Sequence, residues 1–362
     1  MGMGEDSNPL LMLIWILPII LFVFYGQRIQ LMVASGEIKK QIKKLEEYQT
    51  ESKKELLDYI KKTIHPKDDP TKKVERFLDY FTIYPVDMDP NGLVSKVRHV
   101  VRSREDYSRE HVKSLSENPD EIQLTKVQTL LEIATSLRLI HKIITHLFLT
   151  AKKQNNYPLI LPLQMMLPFI MEEAEAMKDA ISAFKKGQPV GDGIGPMVVG
   201  KLMLNTKKEK IAFQTVYSET EFENRKLLLL KAEGPGSTVG RPGDAIEKIF
   251  SKTKLDLIIM IDASLKMEGE DSATTAQGFG AAIGGIGTER YQIEEIATKN
   301  NLPVLSIVIK QSVKEAITLM TKEIANKADD VRAQLYEMIK DNTKSGQTIL
   351  IIGVGNTVGV PQ

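Results

Sequence analysis

The chain has no cysteine among its 362 residues. That excludes disulfides, thiolate metal sites and cysteine nucleophiles, and it suits a reducing compartment. Aromatic residues are scarce and there is one tryptophan, so no platform exists on which single-stranded nucleic acid would stack. A net charge of +1 supplies no field toward nucleic acid either, and no such partner is expected. Histidine is rare and none follows His146. His141 and His146 lie five apart on one helical pattern, off a shared face, and make a poor metal pair. No Gly-x-x-x-x-Gly-Lys-Ser/Thr phosphate loop is present.

Long apolar runs are nearly absent. The exception is Leu10 to Tyr25, bounded by Pro9 and Gly26. At about 1.5 Å per residue it lies at the short end of a bilayer-spanning helix. Trp15 and Tyr25 suit the interfaces, and a kink at Pro18 is tolerated in lipid. The leader carries Glu5 and Asp6, whereas Arg28, Lys39, Lys40, Lys43 and Lys44 follow the run. The positive-inside rule then predicts that residues 1–26 form a single-pass anchor in the cell membrane. The N-terminus would be outside, the bulk of the chain cytoplasmic, and membrane lipid a partner.

Residues 27–70 read as a charged helical stalk. Ile38, Ile42, Leu45 and Tyr48 recur at spacings of four and three, the seam of a coiled coil or of an amphipathic helix. His65-Pro66 through Pro70 ends it. Residues 71–187 read as an all-helical adaptor, interrupted at Pro85, Pro90, Asn118-Pro119 and Pro158. Its strongest helix spans 121–153, with Leu124, Val127, Leu131, Ala134, Leu137, Ile140 and Ile144 on one stripe. Pro158 to Met171 is apolar but short and interrupted by proline, the pattern of a buried helix between domains or else of a segment that touches a membrane or a partner. A seam, an adaptor and an anchor together predict a homo-oligomer, and a protein partner also fits.

From residue 188 to 362 the composition turns to glycine, and strands alternate with helices. The pattern predicts helix 195–205, strands 209–217 and 226–232, helix 243–251, strand 255–262, helix 288–299, strand 303–309, helix 311–341 and strand 348–353. The fold class expected is therefore an α/β domain with a mainly parallel sheet covered on both faces, preceded by an all-α region and one transmembrane helix. In such sheets sites gather beyond the carboxyl ends of the strands. Five glycine-bearing loops end there, among them Gly191-Asp-Gly-Ile-Gly195, Glu233-Gly-Pro-Gly236, Gly278 to Gly287 and Gly353-Val-Gly-Asn356. Asp192 and Asp262 face one cleft in this reading, with Glu233, Gly236, Gly287, Glu289 and Asn356 around its rim.

The last strand runs into a glycine turn with no helix after it, and the missing continuation stands upstream at Gly191-Asp-Gly-Ile-Gly-Pro196. Joined in the other order, the two pieces resemble the opening strand–loop–helix of the hydrogenase-maturation endopeptidases and of the spore germination protease. The resemblance covers the C-terminal half and implies a circularly permuted hydrolase-like domain. It implies nickel-ligand positions at Asp192 and Asp262, the second in the strand ending Ile261-Asp262-Ala263. That family's third ligand is a histidine, which this half lacks, and Glu289 is the third acidic candidate for a divalent metal. The germination protease is similar across Asp262 through Arg290 and implies paired carboxylates without a metal. The whole chain also resembles an archaeal, membrane-anchored family of unknown function. Gly191 to Pro196 matches the opening of isocitrate and isopropylmalate dehydrogenases as well, but those need the motif directly after a first strand, and here a helix precedes it.

Two functions remain on this reading. One is a membrane-tethered peptidase or other hydrolase in which Asp192 and Asp262 form an acid–base pair or bind a metal. The other is an inactive oligomeric scaffold that keeps the fold.

Overall fold

The computed structural model of the protein describes residues 9–81, 92–115, 120–153, 159–285 and 287–361. The acidic leader and the interruptions expected at Pro85, Pro90, Asn118-Pro119 and Pro158 lie outside these residues, as do the side chains of Trp15 and Pro18. The chain divides into two compact units.

The first unit comprises residues up to 50 together with 137–174. It is built from parts of α1 (Pro9–Thr63), α4 (Glu121–Lys153) and α5 (Ile160–Lys186). Among the described residues no helix is long and apolar enough to cross a membrane. That overturns the expected N-terminal transmembrane helix and, with it, the single-pass membrane localisation. The apolar run is shorter than the roughly 20 residues a span needs, and it continues without a break into the Lys- and Glu-rich part of one helix of 55 residues. The seam residues Ile38, Leu45 and Tyr48 are buried within this unit. Gln49 bonds His141 of α4 at 3.2 Å, and the Gln164 amide of α5 donates to Glu37 at 2.8 Å. The seam is thus filled by the chain's own helices. α5 passes through Pro168 rather than breaking there.

The second unit holds residues 51–136 and 175–362. Its sheet has seven strands in the order β1-β2-β3-β7-β4-β6-β5. These are β1 (Glu209–Ala212), β2 (Thr215–Phe222), β3 (Arg225–Ala232), β4 (Leu257–Leu265), β5 (Thr275–Phe279), β6 (Val304–Gln311) and β7 (Thr348–Gly353). The four central strands are parallel, and β1, β2 and β5 run antiparallel at the edges. The sheet is therefore mixed, where the sequence suggested a mainly parallel one. Two causes account for the difference. The expected strand 209–217 folds back at Phe213-Gln214 into the hairpin β1–β2. Residues 275–279, of which only Gly278 and Phe279 fell in the expected glycine loop, extend β6 as an antiparallel edge.

The central strands are continuous apolar runs because both faces are covered. Leu227, Leu229, Ile259, Ile261, Ile349 and Ile351 pack in one core with α6 (Ile194–Leu202) and α10 (Lys322–Asn342). Leu228, Leu230, Ile258, Met260, Leu350 and Ile352 pack in the other with α7 (Pro242–Phe250) and α8 (Thr288–Lys299). The expected helix 311–341 is two helices. Ser312 forms a capping box with Glu315 to open α9 (Val313–Ile317), and Thr321 caps α10. A third, helical core joins the end of α1 from Leu56, α2 (Thr71–Phe77), the first half of α4 and the end of α5, and it also takes in Val190 and Val358. α3 (Leu93–Lys113) reaches the α/β layer through Arg102, which donates to Asp244 at 2.8 Å and Glu289 at 3.3 Å.

α6 lies so close to the sheet that glycine is required at its start. A Cβ on Gly195 would stand 2.3 Å from the carbonyl oxygens of both Ile261 and Val354. Both are backbone atoms of strand ends and cannot turn aside. Gly195→Ala is expected to lower stability by roughly 2–4 kcal/mol through overpacking. Chemical denaturation of the wild type and variant measures it, and a loss below 0.5 kcal/mol (about a twofold change in the folding constant) contradicts the contact.

Candidate functional site

Asp262 is the sixth of the nine residues of β4, on the same face as Met260, beside the loop that follows β5. It is 5 % exposed. The Ala263 amide donates to its Oδ1 at 2.8 Å, and the Gly284 amide also bonds it. Burial pushes its carboxyl well above the usual range, and the charge of Asp192 pushes it further; Arg290 opposes both. Arg290 itself donates to the Ile283 carbonyl at 2.9 Å and so holds that loop.

Asp192 sits in the single 3₁₀ turn Gly191–Gly193 that opens α6. The residue is partly exposed, yet burial of its carboxyl pushes the pKa upward, eased by one backbone donor. That donor is the amide of Asn356, 2.6 Å from Oδ2. The turn after β7 and the turn before α6 therefore meet, although they are far apart in sequence. Gly355, at φ +133°, allows the approach, since a Cβ there would lie 1.9 Å from the Asp192 carbonyl oxygen. One carboxylate in a strand and one in a distant turn are thus both poorly solvated, and the charge of Asp192 raises Asp262 further, a coupling of the kind that separates a proton donor from a base.

Asn356 is also a hub. Its side-chain amide donates to Ser237 Oγ at 3.1 Å, and its Oδ1 accepts from the Val358 amide at 2.9 Å. Ser237 Oγ lies 2.7 Å from Thr129 Oγ1, and the Ser237 amide donates to Thr125 Oγ1 at 3.1 Å. A cavity of about 200 Å³ opens on this cluster, walled by Glu105, Asp106 and Glu132 from α3 and α4 and by Arg241 and Asn356 from the sheet loops. Asn356 links it to Asp192. The helical residues carry no local signature, because Thr125, Thr129 and Glu132 lie in an ordinary amphipathic helix. Only the fold brings them to the sheet edge.

The remaining expected residues are placed elsewhere. Glu289 accepts from the Gly243 amide at 2.8 Å and from Arg102, at the start of α7, not beside Asp262. Glu233 pairs with Lys210 at 2.7 Å. The carbonyls of Glu233, Gly236 and Thr238 lie 3.0, 2.9 and 3.0 Å from Thr357 Oγ1, which locks the two glycine loops together. Gly287 starts α8 at φ +85°. Among the described residues no group of three or more His, Asp or Glu side chains is placed to hold a metal ion.

Beside the site, β3 carries a buried cation that sequence reading passed over. Lys231 is 1 % exposed, and its Nζ donates to the Ala232 carbonyl at 3.1 Å. Burial depresses its pKa from 10.5 to about 8. Below pH 8 it is charged in both the folded and unfolded chain. Between about pH 8 and pH 10.5 only the unfolded chain keeps the proton, so stability rises with pH across that window. The rise is expected to be on the order of 3 kcal/mol. Lys231→Met should abolish it and stabilise the protein at pH 7 by a similar amount. Urea midpoints at pH 7 and pH 10 test this, and a flat wild-type profile counts against it.

Residues 190–361 match the profile of the DUF1512 C-terminal domain of unknown function, and residues 12–187 match that of the DUF1512 N-terminal domain. Both halves of the chain thus match one family. A germination protease of Clostridium perfringens (strain SM101 / Type A) is 27 % identical over 169 residues, which is 44 % of this chain and 50 % of the relative. The germination protease of C. perfringens (strain 13 / Type A) matches with the same values. The chain spans about half the length of the curated relatives it matches.

Proposed function

We propose that this DUF1512-family protein is a peptidase-like hydrolase that uses Asp192 and Asp262 as a carboxylate pair. The observation that carries the reading is that burial pushes the carboxyls of Asp192 and Asp262 upward and that the charge of Asp192 pushes Asp262 further. The partial similarity to germination proteases supports the same reaction class. In the reaction the ionised carboxylate takes a proton from water as its oxygen bonds to the peptide carbon. The protonated partner then gives its proton to the leaving nitrogen as the C–N bond breaks. The donor set favours this over a metal, because Glu289 is committed to Gly243 and Arg102. Entry of a polypeptide requires the Gly280–Gly285 loop to shift off Asp262, and the positive φ angles of Gly280 and Gly285 leave few side-chain constraints there.

Incubation of the full chain with unfolded casein, followed by mass spectrometry, tests the reading. Defined fragments should appear with EDTA present. Absence of any fragment between pH 4 and pH 8, or cleavage that EDTA stops, would overturn the metal-free pair.

A further inference from the structure

The cavity of about 200 Å³ beside Asn356 has no part in the carboxylate chemistry, and its walls carry surplus negative charge. Glu105, Asp106 and Glu132 line it, against Arg109 and Arg241. Arg109 is already taken by Glu121, 2.5 Å from its Nη2. Arg241 is shared between Glu105 at 3.4 Å and Asp106 at 3.3 Å, so one cation serves two carboxylates. Both guanidinium groups also lie over the Phe213 ring, 5.0 and 4.6 Å from its centre, which holds them in the wall.

Glu132 is left over. Among the described residues it has no hydrogen bond and no ion pair. Protein encloses its carboxyl, and burial pushes the pKa up; Arg104, which is not part of the wall, eases this, and Glu105 raises it again. The surface that Glu132 nevertheless keeps open is that of the cavity. Burial raises Glu105 too, although Arg241 stands beside it. A carboxylate enclosed in this way without a partner is costly until a cation joins it. Guanidinium suits the place better than ammonium. It is more weakly hydrated, so it enters a recess at less cost, and its planar fork meets a carboxylate with two parallel bonds. At roughly 30 Å³ for each water-sized atom the cavity takes about seven non-hydrogen atoms, the size of an arginine side chain.

We propose that this cavity binds a guanidinium group on a short alkyl stem, with Glu132 as its charge partner and Glu105 as a second acceptor. The group arrives either as an arginine side chain of a peptide or on a small free molecule. Binding of this kind does not depend on cleavage at Asp262.

Calorimetric titration of the full chain with agmatine, and with the blocked peptide acetyl-Ala-Arg-Ala-amide, tests the proposal. At least one should bind with a dissociation constant below about 1 mM. Agmatine alone assigns a free molecule, and a peptide that binds as tightly assigns a side chain; both uphold the site. Glu132→Gln should weaken binding at least about tenfold, the range of a lost charge-assisted bond, while leaving the urea midpoint unchanged or higher. Citrulline in place of the peptide's arginine, which keeps the shape and removes the charge, should weaken any peptide binding as much. No heat from either probe overturns the proposal, as does binding indifferent to Glu132→Gln or to citrulline. Uptake of inorganic phosphate instead of agmatine overturns it in favour of an anion held by the arginines. Should Glu132→Gln fail to fold, Glu105→Gln serves as the second variant, and unchanged binding there counts against the site.

Discussion

Replacing Asp262 with asparagine is expected to reduce peptide cleavage by at least ~10³-fold, the range in which a lost acid–base group falls, and at the same time to raise the melting temperature at pH 7. Asparagine keeps the shape and can still accept from the Ala263 amide, which lies 2.8 Å from the present oxygen, but it neither takes nor gives a proton. The stability change follows from the direction of the shift. The folded pKa of Asp262 lies above its unfolded value, through burial and the nearby charge of Asp192. Its contribution to stability is therefore complete below the unfolded pKa and is lost as pH rises through the folded one. At neutral pH the carboxyl opposes folding, and the amide relieves that opposition. Asp192→Asn should behave in the same direction, with a smaller gain because burial alone raises its carboxyl and the Asn356 amide eases it. The two readouts together separate chemistry from architecture: a variant that loses both activity and stability marks a structural aspartate, and unchanged cleavage removes Asp262 from the reaction. The pH profile of the wild type should fall on its alkaline side above the ordinary carboxylate range, because the acid partner holds its proton longer than a solvated aspartate does.

Removal of residues 348–361 is expected to abolish cooperative unfolding of the second unit altogether. β7 is bonded to β3 on one side and β4 on the other, and Ile349, Leu350, Ile351 and Ile352 are all at most 1 % exposed. Burial of four such side chains is worth about 6–12 kcal/mol, comparable with the entire stability of a domain, about 5–15 kcal/mol. The residues after the strand add to this, because Thr357 ties three loop carbonyls and Val358 enters the helical core. Removing the edge strand β1, residues 209–212, serves as the comparison. It pairs on one side only and its side chains are half-exposed or exposed. A thermal melt followed by near-ultraviolet circular dichroism should be featureless for the first truncation and sigmoidal for the second. A sigmoidal melt for both would show that β7 does not hold the sheet.

Much of the sheet was legible because its central strands are bare apolar runs, and Thr348 to Ile352 carries no polar interruption that would suit an edge. The meeting of Asn356 with Asp192 was legible for a related reason, since a strand–glycine turn and a glycine turn–helix each lacked its other half. The hairpin β1–β2 was not legible. Phe213-Gln214 contains neither glycine nor asparagine, and Gln214 nevertheless adopts φ +47°. β5 was hidden by its glycine and by its position beside a longer glycine run. Glu289 shows the limit of reading sites by loops. It lies in the first turn of α8, and only the fold reveals that its carboxylate turns to α7. The N-terminal apolar run misled through local hydropathy, which takes no account of the charged helix it continues into.

β7 is the last of the seven strands in the chain but holds the middle of the sheet, and this orders events during synthesis. While the ribosome is still adding α10, β3 and β4 both lack the neighbour that lies between them. Each presents an unpaired apolar edge, of the kind that recruits other chains. The sheet cannot close progressively from one side. It closes in one late insertion that brings together contacts more than a hundred residues apart between β3 and β7, a slow class of step. The nascent protein therefore needs shielding from the completion of β3 at Ala232 until β7 is made, and growth temperature or translation rate should affect its yield more than any substitution on its surface.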